Sequence, residues 1–296
     1  MVFFSRIALF GLLAAGSWAA PSKIARRAID EATFAKLELF GQYSSASYCS
    51  NNFNSTGDKI TCDGGNCPLV EAAGATSVHE FENSEAYGGV TGYIAVDATN
   101  KAIVLAFRGS SNLKNWLANL NFPLIDFTDI CEGCQVHRGF LEAWNAVAED
   151  VTAKLKEAQE SNPDFSLVFT GHSHGAALAA VGATIFRKGG DAVELVNYGQ
   201  PRIGNMELME YITNEYADST FRVTHTNDIV CKVPPKALGF HHFAPEYFIT
   251  SGDNTTVTTA DVEAITEIDS DKGNAGADGT TTEAHRWYFV TMSGCD

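Results

Sequence analysis

Apolar and polar positions along the chain repeat with two different periods. Runs of five to seven residues rich in Val, Ile and aromatic side chains predict buried strands at residues 91–97, 102–107, 165–169, 193–198 and 221–225. Apolar residues at helical spacing predict helices at residues 32–46, 140–158, 176–186 and 205–216. Because strands and helices alternate, we expect an α/β fold with a mostly parallel central sheet flanked by helices.

A pentapeptide of the form G-x-S-x-G joins the strand at 165–169 to the helix at 176–186. It runs from Gly171 to Gly175 and has Ser173 at its centre. Between a strand and a helix this pattern predicts a nucleophile elbow, whose tight turn leaves no room for a side chain at either glycine. The Ser173 hydroxyl would then lie at a helix N-terminus, where the helix dipole favours negative charge. The alternative is a glycine-rich turn that merely contains a serine.

An activated serine needs a base and a carboxylate, which follow it in the order acid then histidine in this type of site. Asp228 lies just past the strand at 221–225, and the alternative role for it is a turn-forming aspartate. The base is either His285 or one of the adjacent pair His241 and His242. We expect His285, because it precedes the last apolar segment and from there can reach back over the sheet.

Ser110 follows the carboxyl end of the strand at 102–107, where α/β proteins place their chemistry. We expect the backbone N–H groups of Ser110 and His174 to form an oxyanion hole. The alternative for Ser110 is a simple cap of the next helix.

That next helix is short and carries an apolar stripe. The residues of the stripe are Leu113, Trp116, Leu117 and Leu120, which helical spacing places on one face. Such a stripe normally packs into a core. Beside an oxyanion residue it also fits a hinged lid, closed over the site in water and turned outward at an oil surface.

No metal site is predicted from either of two histidine or aspartate patterns. His172 and His174 flank the serine, but no third ligand accompanies them. The segment from Asp269 to Asp271 lacks the glutamate that a calcium loop carries at its twelfth position. A solvated turn is expected there, and no cofactor is predicted.

The first 27 residues have the features of a processed leader. An apolar run at 7–15 follows Arg6, small residues follow it, and the pair Arg26-Arg27 ends the segment. This pattern predicts a signal peptide and pro-segment, a single mature domain at 28–296 and a secreted protein. No later apolar stretch is long enough for a transmembrane segment.

Charge narrows the choice of partner. The formal net charge is −16, and loss of the four basic residues before residue 28 makes it −20. Such acidity argues against nucleic acid and anionic membranes, while a neutral lipid ester remains compatible. Asn54 and Asn254 begin N-glycosylation sequons.

Seven cysteines in a secreted chain predict disulfides with one thiol left over. Cys62 lies near Cys67, and Cys131 lies near Cys134. The second of these pairs could instead be redox-active or half of a zinc site, but its acidic loop would not lower a thiol pKa. Cys231 is expected to be the buried free thiol.

Six segments resemble the secreted filamentous-fungal lipases of the class 3, Rhizomucor-type family. They occur in family order from about residue 30 to the C-terminus, and they are Phe107-Arg-Gly-Ser110, Asn115-Trp116, Gly171-His-Ser-His-Gly175, His225-Thr-Asn-Asp228, Ala244-Pro-Glu-Tyr247 and His285-Arg-Trp-Tyr-Phe289. The resemblance implies an α/β-hydrolase fold with a short helical lid at residues 113–120. It also implies a triad of Ser173, Asp228 and His285, with Ser110 as oxyanion donor.

The resemblance further implies the disulfides Cys49–Cys295, Cys62–Cys67 and Cys131–Cys134. Two residues depart from the family pattern: His174 stands where an aliphatic residue is common, and Cys231 has no obvious partner.

The activity implied is hydrolysis of triacylglycerols at an oil–water interface by a monomer. Alternatives on the same fold are a mono- or diacylglycerol lipase, a phospholipase and a feruloyl esterase, although a feruloyl esterase is expected to have a more polar lid. A non-catalytic binding protein is the alternative of a different class.

Overall fold

The computed structural model describes residues 29–120 and 123–295. The predicted signal peptide and pro-segment therefore lie outside the described residues. Seven α-helices occur within the described ranges: α1 (Glu31–Ala46), α2 (Pro68–Ala73), α3 (Leu113–Ala118), α4 (Arg138–Asn145), α5 (Ala148–Ser161), α6 (His174–Gly189) and α7 (Met206–Tyr216). The strands in the same ranges are β1 (Thr76–Asn83), β2 (Val90–Asp97), β3 (Ala102–Phe107), β4 (Leu124–Asp126), β5 (Gln135–His137), β6 (Ser166–His172), β7 (Val193–Tyr198), β8 (Thr220–His225), β9 (Glu246–Ile249), β10 (Val262–Ile265), β11 (Trp287–Tyr288) and β12 (Val290–Thr291).

Eight strands form the central sheet, in the order β1-β2-β3-β6-β7-β8-β9-β10. The pairs β3–β6, β6–β7, β7–β8 and β8–β9 are parallel, and the outer pairs are antiparallel. The prediction of a mostly parallel sheet flanked by helices is confirmed. Because parallel strands end at the same edge, residues 108–110, 173 and 226–228 meet there.

The two faces of the sheet carry separate apolar layers. Along β3, Ile103, Leu105 and Phe107 join the layer that contains α4 to α7, whereas the alternate residues join the layer that contains α1 and α2. This double coverage explains why the sequence of β3 is apolar throughout.

The single helix predicted at residues 140–158 is wrong, because two helices occupy the stretch. α4 ends at Asn145, and Val147 has the non-helical angles φ −126° and ψ −6°. α4 packs against α6, where Trp144 fills the space that a side chain at Gly182 would need, while α5 packs against β1, β2 and β3. One straight helix could not follow both surfaces, although its apolar spacing continues across the break.

Three disulfides are present, joining Cys49 to Cys295, Cys62 to Cys67 and Cys131 to Cys134. The first links residues 246 positions apart, for which loop-closure entropy gives a stabilisation of about 5 kcal/mol. Cys231 is a buried free thiol.

The two sequons lie in exposed loops, at Asn54 and Asn254. Across residues 29–120 and 123–295, no helix combines the length and apolar character needed to cross a membrane.

Candidate active site

Ser173 lies at the turn between β6 and α6, in a strained backbone conformation with φ 59° and ψ −127°. A Cβ atom at Gly171 would come within 2.5 Å of the Gly175 backbone, and one at Gly175 would collide with the Phe107 carbonyl oxygen. Glycine is therefore required at both positions. A non-glycine residue held in this region of φ and ψ stores strain, as active sites often do.

The Asp228 carboxylate is fully buried at the carboxyl end of the sheet. It accepts hydrogen bonds from His285 Nδ1 at 2.8 Å, from the Val230 N–H at 2.8 Å and from the Tyr288 hydroxyl. The Cys231 thiol lies 3.5 Å from the same carboxylate oxygen that His285 contacts. Burial would raise the pKa of Asp228, but the charge of His285 and these hydrogen bonds lower it below its usual value. Asp228 is therefore ionised.

Ser173 and His285 line the same cavity of about 350 Å³, together with Ser110 and Leu113. The Ser173 side chain is only 2% exposed. Within the described part of the chain, neither Ser173 Oγ nor His285 Nε2 has a hydrogen-bond partner. Since Asp228 holds Nδ1 of His285, Nε2 is the nitrogen left to exchange a proton.

Gly109 and Ser110 bring the end of β3 close to the serine. A Cβ atom at Gly109 would lie 3.0 Å from Ser173 Cβ, so only glycine allows this approach. Asn112 is the N-cap of α3, since its side chain accepts from the Asn115 N–H at 3.0 Å. Ser110 is thus not the helix cap, although its hydroxyl accepts a 3.2 Å hydrogen bond from the Asn112 N–H.

The second expected oxyanion donor is the N–H of His174, the first residue of α6. An N–H group in the first turn of a helix has no acceptor within its own helix. The His174 N–H can therefore donate to an acceptor outside the helix.

His172 forms a hydrogen bond to the segment that carries His285. Its Nε2 donates to the His285 backbone carbonyl at 2.8 Å, and its Nδ1 accepts from the Tyr48 hydroxyl at 2.6 Å. Burial, and then the charge of His285, lower the pKa of His172 well below its usual value, so the ring is neutral. The backbone carbonyl of Ala284, the residue before His285, lies 2.9 Å from His225 Nδ1.

The His174 side chain lies in different surroundings from His172. Its ring is fully buried, with centroids 5.8–6.0 Å from the rings of Tyr87, Trp116 and Phe140. Burial, and then the nearby His137, lower the pKa of His174 to about 3. The two histidines of the pentapeptide therefore do not face a common point, as a metal pair would.

The apolar stripe at residues 113–120 packs inward in this structure, although α3 itself ends at Ala118. Trp116 is 4% exposed, while Leu113, Leu117 and Leu120 are half-buried against the layer that contains α4 to α7. Its Leu113 end also lines the cavity at Ser173. The stripe thus packs as core and borders the site at the same time.

The other predicted candidates have different contacts. His241 Nδ1 lies 2.9 Å from Asp269, and His242 Nε2 lies 2.8 Å from the Cys231 carbonyl. Asp269 and Asp271 are paired with Lys236 at 3.1 and 3.0 Å. Asp269 and Asp271, for which a solvated turn was predicted, are thus members of a salt-bridge cluster.

Sequence reasoning assigned no role to Tyr288, Cys231 or Tyr48, although each contacts a site residue.

The chain is similar to known lipases in sequence. Residues 104–238 match the family described as Lipase (class 3), and residues 3–79 match the Lipase 3 N-terminal region. The chain is 42% identical to the secreted mono- and diacylglycerol lipase A of Penicillium cyclopium over 295 residues, which cover 97% of this chain and 95% of the relative.

Solved structures give the same result. The mono- and diacylglycerol lipase of Aspergillus oryzae superposes with a TM-score of 0.83 at 38% identity, covering 88% of this chain and 98% of that one. The triacylglyceride lipase of Rhizomucor miehei superposes with a TM-score of 0.77 at 26% identity, covering 91% of this chain and 99% of that one. With this fold, these relatives and a serine, histidine and aspartate at the edge of the sheet, the chain belongs to the class 3 lipases, which are carboxylic ester hydrolases.

Proposed function

We propose that this protein is a secreted serine hydrolase that cleaves acylglycerol esters through an acyl-enzyme. One observation carries the proposal: Ser173 Oγ and His285 Nε2 face one cavity without partners in the described chain, while buried Asp228 holds the other nitrogen of His285. An imidazole fixed on one side and open on the other is suited to move a proton between serine and substrate.

In the proposed mechanism His285 accepts the proton of Ser173 as Ser173 Oγ attacks the ester carbonyl carbon. The N–H groups of Ser110 and His174 bind the resulting oxyanion. Asp228 keeps the proton of His285 on Nδ1 and stabilises the imidazolium. His285 then protonates the departing alcohol, and a water molecule hydrolyses the acyl-enzyme by the same steps.

As the main substrates we propose mono- and diacylglycerols. The support is that relatives with those substrates in their names are 42% and 38% identical to this chain. Triacylglycerols are the second candidate, supported by the Rhizomucor miehei structure at 26% identity. The uncharged acylglycerols also suit a chain of net charge −16.

We further propose that α3 and the residues beside it act as a lid over the cavity. The support is the stripe of Leu113, Trp116, Leu117 and Leu120, which packs against the core and borders the cavity at Ser173 through Leu113. We keep the mature domain at 28–296, the monomeric state and glycosylation at Asn54 and Asn254 as predictions. Secretion is supported by the names of the Penicillium relatives.

The test combines labelling with a substrate panel. A fluorophosphonate is expected to label Ser173 stoichiometrically, and Ser173→Ala is expected to lose both labelling and roughly 10⁴–10⁶-fold in kcat while keeping its circular-dichroism spectrum. The panel contains monoolein, diolein, triolein, phosphatidylcholine and methyl ferulate. Turnover by Ser173→Ala at a rate close to that of wild type, or hydrolysis of only the last two esters, contradicts the proposal.

A further inference from the structure

An unpaired imidazole lies beneath the proposed lid. His174 is fully buried, yet neither of its ring nitrogens has a hydrogen-bond partner within residues 29–120 and 123–295. Leaving a buried polar group unpaired costs about 1–3 kcal/mol. A side chain held in this way is expected to have a partner in another state of the protein.

The position of His174 indicates which state that is. Its cover includes Trp116 of α3, whose indole Nε1 also lacks a partner within the described ranges. Tyr87 and Phe140 form other walls, and a Cβ atom at Gly88 would press on the ring. Of these covering groups, Trp116 belongs to the segment proposed to move, so opening of α3 would remove this wall from the His174 ring.

The chemistry of the ring limits what can pair with it. With its pKa lowered to about 3 by burial and by His137, His174 is neutral at any pH near neutrality. A neutral imidazole offers one N–H donor and one nitrogen acceptor. A hydroxyl group also offers one donor and acceptor lone pairs, so it complements the ring. An alkyl chain satisfies neither nitrogen, and a neutral ring has no charge to attract an ionic group.

We propose that His174 is a specificity-determining residue that binds an alcohol hydroxyl of the substrate once α3 has opened. The inference rests on the proposed function and names a feature of its substrate. Two parts of an ester can supply the hydroxyl: the free glyceryl hydroxyl of a mono- or diacylglycerol, or a hydroxyl on the acyl chain. An oxygen close to the scissile ester is required in both cases, because His174 adjoins Ser173 in the chain.

The test measures relative rates in mixtures, where both esters compete for the same enzyme and enzyme concentration cancels. One emulsion holds dioleoylglycerol and trioleoylglycerol in equal amounts. A second holds methyl 3-hydroxydecanoate and methyl decanoate. His174→Leu removes both hydrogen-bonding atoms, whereas His174→Gln keeps a donor and an acceptor at similar reach. His174→Met is a second apolar variant, and fluorophosphonate labelling counts the folded sites of each.

For His174→Leu we expect the preference for the hydroxyl-bearing ester to fall roughly three- to tenfold, the value of one hydrogen bond, and His174→Gln to restore most of it. A fall in the glyceride mixture alone assigns the hydroxyl to glycerol, and a fall in the second mixture alone assigns it to the acyl chain. Unchanged ratios in both mixtures overturn the inference while leaving the lipase function intact. Wild-type enzyme that hydrolyses no acylglycerol overturns the proposed function instead.

Discussion

The imidazole rings of His172 and His285 lie 4.3 Å apart, and His172 Nε2 donates a hydrogen bond to the His285 backbone carbonyl. The residue immediately before the proposed nucleophile thus holds the segment that carries the proposed base. A substitution at His172 is therefore expected to change the position of His285.

Replacing His172 by leucine removes this donor and leaves a buried carbonyl unpaired. Such a loss costs about 1–3 kcal/mol, and part of it is expected to appear as misplacement of His285. We expect His172→Leu to lower kcat for soluble p-nitrophenyl butyrate about tenfold or more, with a smaller change in KM. His79→Leu on β1, which removes a histidine that does not line the cavity, is the control. Equal kcat values in His172→Leu and wild type contradict the positioning role.

The role of the Ser110 hydroxyl can be separated from that of its N–H. If the hydroxyl also donates to the oxyanion, Ser110→Ala is expected to lower kcat by roughly 10²–10³-fold, since only the backbone donor remains. Ser110→Thr keeps the hydroxyl and is expected to retain most of the activity. A Ser110→Ala enzyme as active as wild type would assign the oxyanion hole to backbone groups alone.

The lid is tested by following the rate of tributyrin hydrolysis through the solubility limit of the ester. For wild type we expect a sharp rise when the emulsion forms, because an oil surface stabilises the outward-turned stripe. Truncating Trp116, which is 4% exposed, weakens the closed state, so Trp116→Ala is expected to be more active below the limit and to show a smaller rise. Smooth saturation of wild type below the limit would mean that α3 does not gate the site.

Acid is expected to destabilise the fold through His174. Its pKa is about 3 in the folded protein and about 6.5 in an unfolded chain, so only the unfolded state binds a proton between these values. Stability is therefore complete above pH 6.5 and falls with a slope of up to about 1.4 kcal/mol per pH unit as the pH drops towards 3.

His174→Leu lacks this proton uptake. As the pH is lowered from 7.5 to 4.5, its free energy of unfolding is therefore expected to fall less than that of wild type. Urea unfolding at the two pH values measures the difference. Burial lowers the pKa of His137 to about 4, so His137 also takes up a proton on acid unfolding in both proteins, and the comparison reports the additional uptake by His174. Unfolding free energies that change in parallel would show that His174 is not buried and neutral.

The parts of the fold that follow from local pattern were predictable. β3 and β6 have their own apolar runs, and the elbow needs Gly171 and Gly175 for reasons confined to one turn. β1 was missed because its residues alternate only loosely between apolar and polar. The break at Val147 was missed because the apolar spacing continues across it, and only packing against different neighbours separates α4 from α5.

The contacts that complete the site could not be predicted from local sequence, because they join residues far apart in the chain. His172 and the His285 carbonyl are 113 residues apart, and Tyr288 and Asp228 are 60 apart. Nothing near either residue in the chain signals such a partner. His174 was recognised as a departure from the family, but its burial under Trp116 depends on how three separate elements assemble.

The Cys49–Cys295 disulfide affects how the secreted enzyme responds to proteolysis. It closes a ring that includes Ser173, Asp228 and His285. When a protease cuts one exposed loop in that ring, the two fragments stay covalently attached and the proposed triad stays on a single molecule. A nicked enzyme would migrate as two pieces only after reduction, and its activity could outlast the intact polypeptide in a protease-rich medium.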